Sequence, residues 1–545
     1  MKLTGAEVVV HTLEKIGVEY IFCVPGASID PILDVLADRG PQLIVCRHEQ
    51  NAAFMAQAYG SIKGIPGVCL LTAGPGVTNA VTGIATALSE RKPVVVITGQ
   101  VSQRIKFKHA HQNIDAVQLY QPITKWSVEV DYKDTLPDIL SNAFQIAATP
   151  RMGTAHVSIP SNILKDKTDV DIIEKLHVPN LGMAIEKDLL NAAEYIQNAK
   201  YPMMLLGNAA SREHVSRAIC KFLKKHQIPV VGTFEAAGAV ERDLEHLFLG
   251  RLGVFKNQPG DKILDKADVV LTVGFDPVEY DPIIWNYNKK RKIIHIDFIP
   301  AIIDQTYQPV LELVGDIALN LECIDKNLHS VQTFDSLPGC KEAKAEFNKT
   351  IHSGKDIVGS PVHPLRLIYE MREMFDDDVT IVTDVGSHQY WMARNFLCFN
   401  PKHFLTSMGF QTMGVSIPYA IGAALARPFQ KVVAVCGDGS FLMTSMDLET
   451  AVRLNLPIVI MVWEDGSYNL VKIQQELKYK RSFGVAFGNI DIVKYANSFG
   501  IEAYRIDHTD QIKDVLKKAY LANHPVVISV KIDYSDNHKI VEALT

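Results

Sequence analysis

The sequence is short of several things, and each shortage closes a class of function. No apolar run reaches the roughly 18 residues that a membrane-spanning helix requires. There is no basic block and the net charge is −6, so nucleic acid and anionic membranes find no matching surface. Eight cysteines stand at 23, 46, 69, 220, 323, 340, 398 and 436, none as CxxC, so neither structural zinc nor a disulfide frame is expected. Cys46, Cys69 and Cys436 sit inside apolar runs, where a thiol acts as a small hydrophobe, and this fits a reduced, cytoplasmic protein. The opening "MKLTGAEVVVHTLEKIG" is no signal peptide, because Glu7 and Glu14 interrupt it and no small-residue cleavage site follows. It reads as a helix with a Thr4–Glu7 capping box and Gly17 at its end. No GxGxxG follows the early strands; "TAGPGVTN" offers only Gly74 and Gly76, which weakens a dinucleotide site. His109 and His111 lack the further ligands of a zinc site.

What the sequence has is a soluble composition, 47% apolar and 21% charged over 545 residues, and a steady alternation of short apolar runs with helical patterns. "QLIVCRHE", "GVCLLTAG" and "KPVVVITG" are runs of this kind. So are "PMMLLG", "DVVLTVGFD" and "KIIHIDFIP" in the middle, and "KVVAVCGDGS", "LPIVIMVWED" and "HPVVISVKID" near the end. Buried parallel strands read as continuous Val/Ile-rich runs, and the spacing suits strand–helix–strand units. Polar stretches near 165–190 and 330–362 divide the chain. The expected fold is α/β, with three doubly wound parallel-sheet domains at 1–165, 185–330 and 360–545. "AGPGVTNAVTGIATALSERKPVVVITG" also has the layout of "GDGSFLMTSMDLETAVRLNLPIVIMVW", each with a Thr-Ala pair (Thr86-Ala87; Thr450-Ala451) and a proline (Pro93; Pro457) before the next strand. Two related domains, or a coincidence between two similar units, explain this equally well.

Asp438 lies between two glycines at the end of an apolar run, and Asp465 ends the next one. A tight turn with solvated acids explains the first alone. Consecutive parallel strands bring their carboxyl ends side by side, so the two acids are expected to converge, with a helix near 444–454 between them. Glycines let the backbone approach a ligand, and a helix start offers free N–H groups to phosphate. Two carboxylates beside a phosphate site match the hard oxygen ligands of magnesium.

The Gly-Asp-Gly motif with a downstream acid resembles the signature of thiamine-diphosphate enzymes. The resemblance implies a pyrimidine-binding, a central and a diphosphate-binding domain, with Mg2+ held by Asp438, Asp465 and the Ser467 carbonyl. Asp465 stands where asparagine is commoner, which adds one negative charge. Gly439, Ser440, Tyr468 and Asn469 belong to the same cofactor-binding stretch. "VCRHEQNAAFMAQAYG" supplies Glu49, assigned to the aminopyrimidine ring, where an apolar crevice would raise its pKa and let it hold a proton for a ring nitrogen. "MGFQTMGVSIPYAIGAAL" supplies Met413 beneath the bent cofactor and the Gln411 carbonyl for its amine. "DVGSHQYW" puts Ser387 and His388 on the diphosphate.

The resemblance runs over nearly the whole chain and is nearest to the catabolic, FAD-independent acetolactate synthases, carried by stretches such as "HQNIDAVQLYQPITKWSVEV", "GRLGVFKNQPGD", "YNLVKIQQELKYKR" and "IDYSDN". It implies that one pyruvate is decarboxylated and its two-carbon remainder joined to a second, giving 2-acetolactate and CO2. His111 and Gln112 are implied beside the reacting carbons, with Val471 and Gln474 opposite. "GFDPVEYDP" lacks the arginine of flavin-holding relatives, so no FAD is expected. Gln474 replaces a tryptophan that favours a larger acceptor. The biosynthetic acetohydroxyacid synthase large subunit and a 2-keto-acid decarboxylase remain alternatives. Ser28 stands where relatives often carry lysine, and a shorter C-terminal lid is expected. The implied assembly is at least a homodimer, with a tetramer the family habit.

Overall fold

The computed structural model describes residues 2–174 and 178–542. The expected linker and C-terminal lid therefore each include three residues, 175–177 and 543–545, that lie outside the described residues. The first helix, Gly5–Ile16, is capped as expected: Thr4 Oγ1 accepts from Glu7 N at 3.2 Å, Glu7 Oε2 accepts from Thr4 N at 2.6 Å, and Gly17 ends it at φ 88°.

Three six-stranded sheets carry the architecture. A short antiparallel pair, β1 (Leu3–Thr4) with β8 (Lys167–Thr168), flanks the first. That sheet contains β2 (Tyr20–Val24), β3 (Gln42–Val45), β4 (Gly67–Leu71), β5 (Val94–Gln100), β6 (Trp126–Glu129) and β7 (Thr154–Pro160), in the order β3-β2-β4-β5-β7-β6. The second contains β9 (Pro202–Leu206), β10 (Val230–Gly232), β11 (Phe248–Arg251), β12 (Val269–Val273), β13 (Lys292–Asp297) and β14 (Leu311–Val314), in the order β11-β10-β9-β12-β13-β14. The third contains β15 (Thr380–Thr383), β16 (Phe404–Leu405), β17 (Val432–Gly437), β18 (Ile458–Glu464), β19 (Glu502–Ile506) and β20 (Val526–Lys531), in the order β16-β15-β17-β18-β20-β19. The pairings are parallel, as the apolar runs implied: β4, β5, β7, β9 and β12 are buried along their whole length, which suits strands covered on both faces.

The second sheet has the doubly wound order 3-2-1-4-5-6. The first and third share a different one, 2-1-3-4-6-5. The two echoing sequence stretches fall at the same place in each, from the third strand to the fourth: β4 to β5, and β17 to β18. Relationship between the two domains is therefore the better explanation of the echo.

The chain gathers into two compact units. One is Met1–Pro179 with Gly409–Phe429 and Met443–Ile458; the other is Asn180–Met408 with Gln430–Leu442 and Val459–Thr545. The first unit thus borrows two segments from the last third of the chain. Helix Ser416–Ala426 is buried on every side and packs on helix Glu49–Lys63, where Tyr419 OH donates to Gln57 Oε1 at 2.8 Å. Asp447 accepts from Arg47 N at 3.0 Å, from Thr450 Oγ1 at 2.7 Å and from Asn51 Nδ2. A carboxylate as buried as Asp447 is tolerated because hydrogen bonds satisfy it.

Candidate functional site

Open parallel sheets bind ligands outside the carboxyl ends of their strands. In the third sheet β17 ends at Gly437, and Asp438 itself opens helix Asp438–Thr444. The single helix expected at 444–454 is instead that helix, a 3-10 turn at Ser445–Asp447 and a second helix at Leu448–Arg453. The earlier start puts the acid in a first helical turn, where free N–H groups and the helix dipole favour negative charge. Asp438 Oδ1 accepts from Gly439 N at 2.9 Å, and Oδ2 accepts from the backbone N of Asp465 at 3.1 Å and of Gly466 at 2.7 Å. One carboxylate therefore stitches the end of β17 to the end of β18. Asp465 Oδ2 accepts from Ser467 Oγ and Asn469 Nδ2, both at 2.7 Å.

Burial pushes the Asp438 carboxyl up to about 6; three backbone amides oppose the rise and the neighbouring Asp465 adds to it. Asp465 is raised as well, again chiefly by burial. Two desolvated carboxylates side by side favour a cation. Among the described residues no three His, Cys, Asp or Glu side chains gather as a self-sufficient metal site, so a magnesium ion here would need further ligands such as phosphate oxygens. His388 stands at the same turn. His388 Nε2 is buried without a partner, and its ring lies against Gly437, 3.2 Å from where a Cβ would sit. Burial pushes this imidazole down to about 3, so it is neutral; the one N–H it keeps goes to the Asp384 backbone, which leaves Nε2 as an acceptor. Ser387 Oγ reaches Asn469 Oδ1 at 3.4 Å, Ser440 Oγ donates to the Gly437 carbonyl at 3.1 Å, and the Tyr468 ring covers Gly439 beside Phe487.

The first sheet, in the other compact unit, carries a second group of candidate residues. Glu49 opens helix Glu49–Lys63, whose cap His48 accepts from Gln50 N at 3.1 Å through Nδ1. Glu49 is 7% exposed, and its Oε2 accepts from Asn79 Nδ2 at 2.9 Å. Asn79 ends the short helix Pro75–Asn79 that follows β4. The turn before that helix supports the loop of His111 and Gln112: a Cβ on Gly74, at φ +64°, would stand 3.0 Å from Gln112 Cβ. Both loop residues are exposed. Burial pushes the neighbouring Cys23 thiol up to about 12, with the Glu49 charge as second cause, so that thiol stays protonated and inert. Ser28 Oγ accepts from Ala73 N at 2.8 Å and shares a 2.9 Å hydrogen bond with Thr72 Oγ1, tying the turn after β2 to the turn after β4.

Gln411 and Met413 belong to the same unit as Glu49. Gln411 is exposed at φ +49° and Met413 is half-buried. Their loop is pinned by a 2.8 Å bond between Thr412 and Thr86 hydroxyls and by Thr444 Oγ1 donating to the Gly414 carbonyl at 2.9 Å. Val471 and Gln474 lie exposed on helix Asn469–Tyr479, no residue of which is buried.

The structure thus brings Asp438, Asp465, Ser467, Asn469 and Ser387 together in one unit, and Glu49 with the Gln112 turn in the other. Sequence reading missed Asn79, which it passed over while weighing the glycines of "TAGPGVTN". It also missed Asn537, buried and hydrogen-bonded to Asn469 at 2.6 Å.

Comparison with known proteins covers the same ground. Family models of thiamine pyrophosphate enzymes match at residues 3–119 (N-terminal TPP binding domain), 189–324 (central domain) and 384–530 (C-terminal TPP binding domain). The chain is 46% identical to the acetolactate synthase of Bacillus subtilis, over 98% of this chain and 94% of that protein. It is 40% identical to the catabolic acetolactate synthase of Raoultella terrigena, over 98% and 96%. The acetolactate synthase isozyme 2 large subunit of Escherichia coli is 32% identical over 98% and 96%.

Proposed function

Because the chain belongs to the thiamine pyrophosphate enzyme family, we propose that it is an acetolactate synthase that decarboxylates one pyruvate and joins the two-carbon remainder to a second, giving 2-acetolactate and CO2. The observation that carries the reading is the Asp438–Asp465 pair at adjacent strand ends, in a chain whose full-length relatives are acetolactate synthases. When bound, thiamine diphosphate supplies a carbon nucleophile and an electron sink. The chain's own residues then have separate tasks. Asp438, Asp465 and the Ser467 carbonyl would hold Mg2+ with the diphosphate, and Ser387, His388, Gly439, Ser440, Tyr468 and Asn469 would surround it. Glu49, fixed through one oxygen by Asn79, holds a proton at a ring nitrogen. Gln411 and Met413 support the ring, and His111, Gln112, Val471 and Gln474 line the substrate.

The domains are taken as 1–165, 185–330 and 360–545. We take the central one to work without FAD: at the switch between β9 and β12 lie the buried carboxylates Glu235 and Asp276, beside Glu279, and the charge of those two would repel a flavin's diphosphate. The Glu279 carboxyl is pushed up to about 8 by burial and then by Glu235. Glu49 of one copy serves Asp438 of another, which requires at least a dimer, with a tetramer expected, in a cytoplasmic setting that keeps the eight thiols free. Pyruvate, thiamine diphosphate and Mg2+ given to the colourless enzyme should yield acetolactate, which acid converts to acetoin. Absence of acetoin overturns the proposal, and acetaldehyde as main product would favour a decarboxylase instead.

A further inference from the structure

The segment after β20 runs beside the two carboxylates and is fixed at both ends. Ile532 N donates to the Glu464 carbonyl at 3.1 Å, and Asp533 N to the Val362 carbonyl at 2.9 Å. Farther on, the Asn257 Nδ2 lies 2.8–2.9 Å from the carbonyls of Lys539, Ile540 and Glu542, which share its two N–H groups. Between these anchors Asn537 is wholly buried. Its Oδ1 accepts from Trp391 Nε1 at 2.5 Å, and its Nδ2 donates to Asn469 Oδ1 at 2.6 Å. Asn469 Nδ2 donates in turn to Asp465 Oδ2 at 2.7 Å.

The direction of this chain is forced at both ends. An indole nitrogen only donates, and an ionised carboxylate only accepts. Asn537 must therefore turn its oxygen to Trp391 and its amide to Asn469, and Asn469 must turn its amide to Asp465. Neither amide can flip without setting two acceptors or two donors face to face. We propose that Asn537 is a positioning residue for the cation–diphosphate site: through Asn469 it fixes the orientation of the Asp465 carboxylate. The inference rests on the reading of Asp465 as a cation ligand. Groups that orient a metal ligand from behind typically cost about 10- to 100-fold in metal affinity when removed.

The test measures binding of thiamine diphosphate by titration calorimetry across a range of Mg2+ concentrations. The proteins are the full-length wild type and the variants Asn537→Asp, Asn537→Ala, Trp391→Phe and Asp465→Ala, with apo thermal midpoints taken alongside. Asn537→Asp keeps the shape but presents an acceptor to Asn469, so it should raise the half-saturating Mg2+ most, by roughly 30-fold or more. Asn537→Ala should raise it roughly tenfold, and Trp391→Phe, which only releases the polarity, a few-fold. The KM for pyruvate should stay unchanged once cofactor is saturating, a split that general loosening of the fold would not produce. Trp391→Phe carries the test if the Asn537 variants do not fold. Binding in Asn537→Asp within twofold of wild type overturns the inference. If Asp465→Ala weakens binding while the Asn537 variants do not, only this inference falls; if Asp465→Ala has no effect, the reading of the site falls with it.

Discussion

The first sheet and the third run in the same strand order, yet their carboxyl ends hold charge in different ways. After the second strand the first sheet places Glu49 and the third places the Gln411–Met413 loop. After the third strand stand the uncharged "AGPGVTN" turn in one and Asp438 in the other. After the fourth, Gln100 donates to the Ile114 carbonyl at 2.7 Å, where its counterpart position leads into Asp465. One sheet thus keeps a single carboxyl held by a neutral amide. The other sets two desolvated carboxylates together. The first arrangement suits proton exchange with a neutral ring, and the second suits a cation. A shared topology fixes where functional groups can stand, and the residues at each strand end decide what they do.

The strongest way to break this contrast is to remove the charge that only the third sheet has. Asp438→Ala loses a proposed cation ligand and the stitch between β17 and β18. Acetolactate formation should fall about 10^3-fold, equivalent to about 4 kcal/mol, and dialysis should strip the variant of thiamine diphosphate. Retained Mg2+-dependent binding would show that the paired acids are a turn and nothing more. Glu49→Gln probes the other sheet. The rate should drop by roughly 10^2- to 10^4-fold while cofactor binding persists, because the proton-holding group is lost and the diphosphate anchor is intact.

The pH response should also separate the halves. In the folded apo protein the Asp438 carboxyl is raised to about 6, above its ordinary value near 4. Between these values the folded state binds more protons than the unfolded one, so this group makes the apo protein more stable as pH falls from about 6 toward 4. Cation binding needs the ionised form and runs the other way. Apparent Mg2+ affinity should fall by up to about tenfold per pH unit below 6. Unfolding midpoints of the apo wild type and Asp438→Asn at pH 7 and 5 measure the first effect, which should vanish in the variant.

How much of this the sequence reveals depends on the distance between partners. The parallel strands were legible because each is a continuous apolar run bounded by turn residues, as in "KPVVVITG" and "DVVLTVGFD". Asp438 and Asp465 were legible because one strand–helix–strand step fixes their proximity. The split helix after Gly437 was not: "MTSMDLETAVRLN" has the pattern of one helix, and packing of Asp447 against Asn51, nearly 400 positions earlier, decides where it breaks. The transfer of Gly409–Phe429 to the first compact unit depends on equally remote contacts, such as Tyr419 with Gln57. Asn79 has no local signature, since an asparagine at a helix end usually serves the backbone, and Asn537, though it closes "IDYSDN", gives no local sign of its role there.

The smallest expected effect concerns two serines that stand four residues past equivalent strands, Ser28 after β2 and Ser387 after β15. Their surroundings assign them different work. Ser28 Oγ closes a short network with Ala73 N and Thr72 Oγ1, so Ser28→Ala leaves a buried donor without its partner. Denaturant unfolding should show a loss of about 1–2 kcal/mol, with the Mg2+ requirement unchanged. Among the described residues Ser387 makes only a 3.4 Å contact to Asn469, too long to stabilise much, which leaves its hydroxyl available for the proposed phosphate contact. Ser387→Ala should leave unfolding within about 0.5 kcal/mol of wild type and raise the half-saturating cofactor concentration about two- to tenfold. The opposite pairing, stability lost at Ser387 and cofactor affinity at Ser28, would mean that the first sheet carries the anionic end of the ligand.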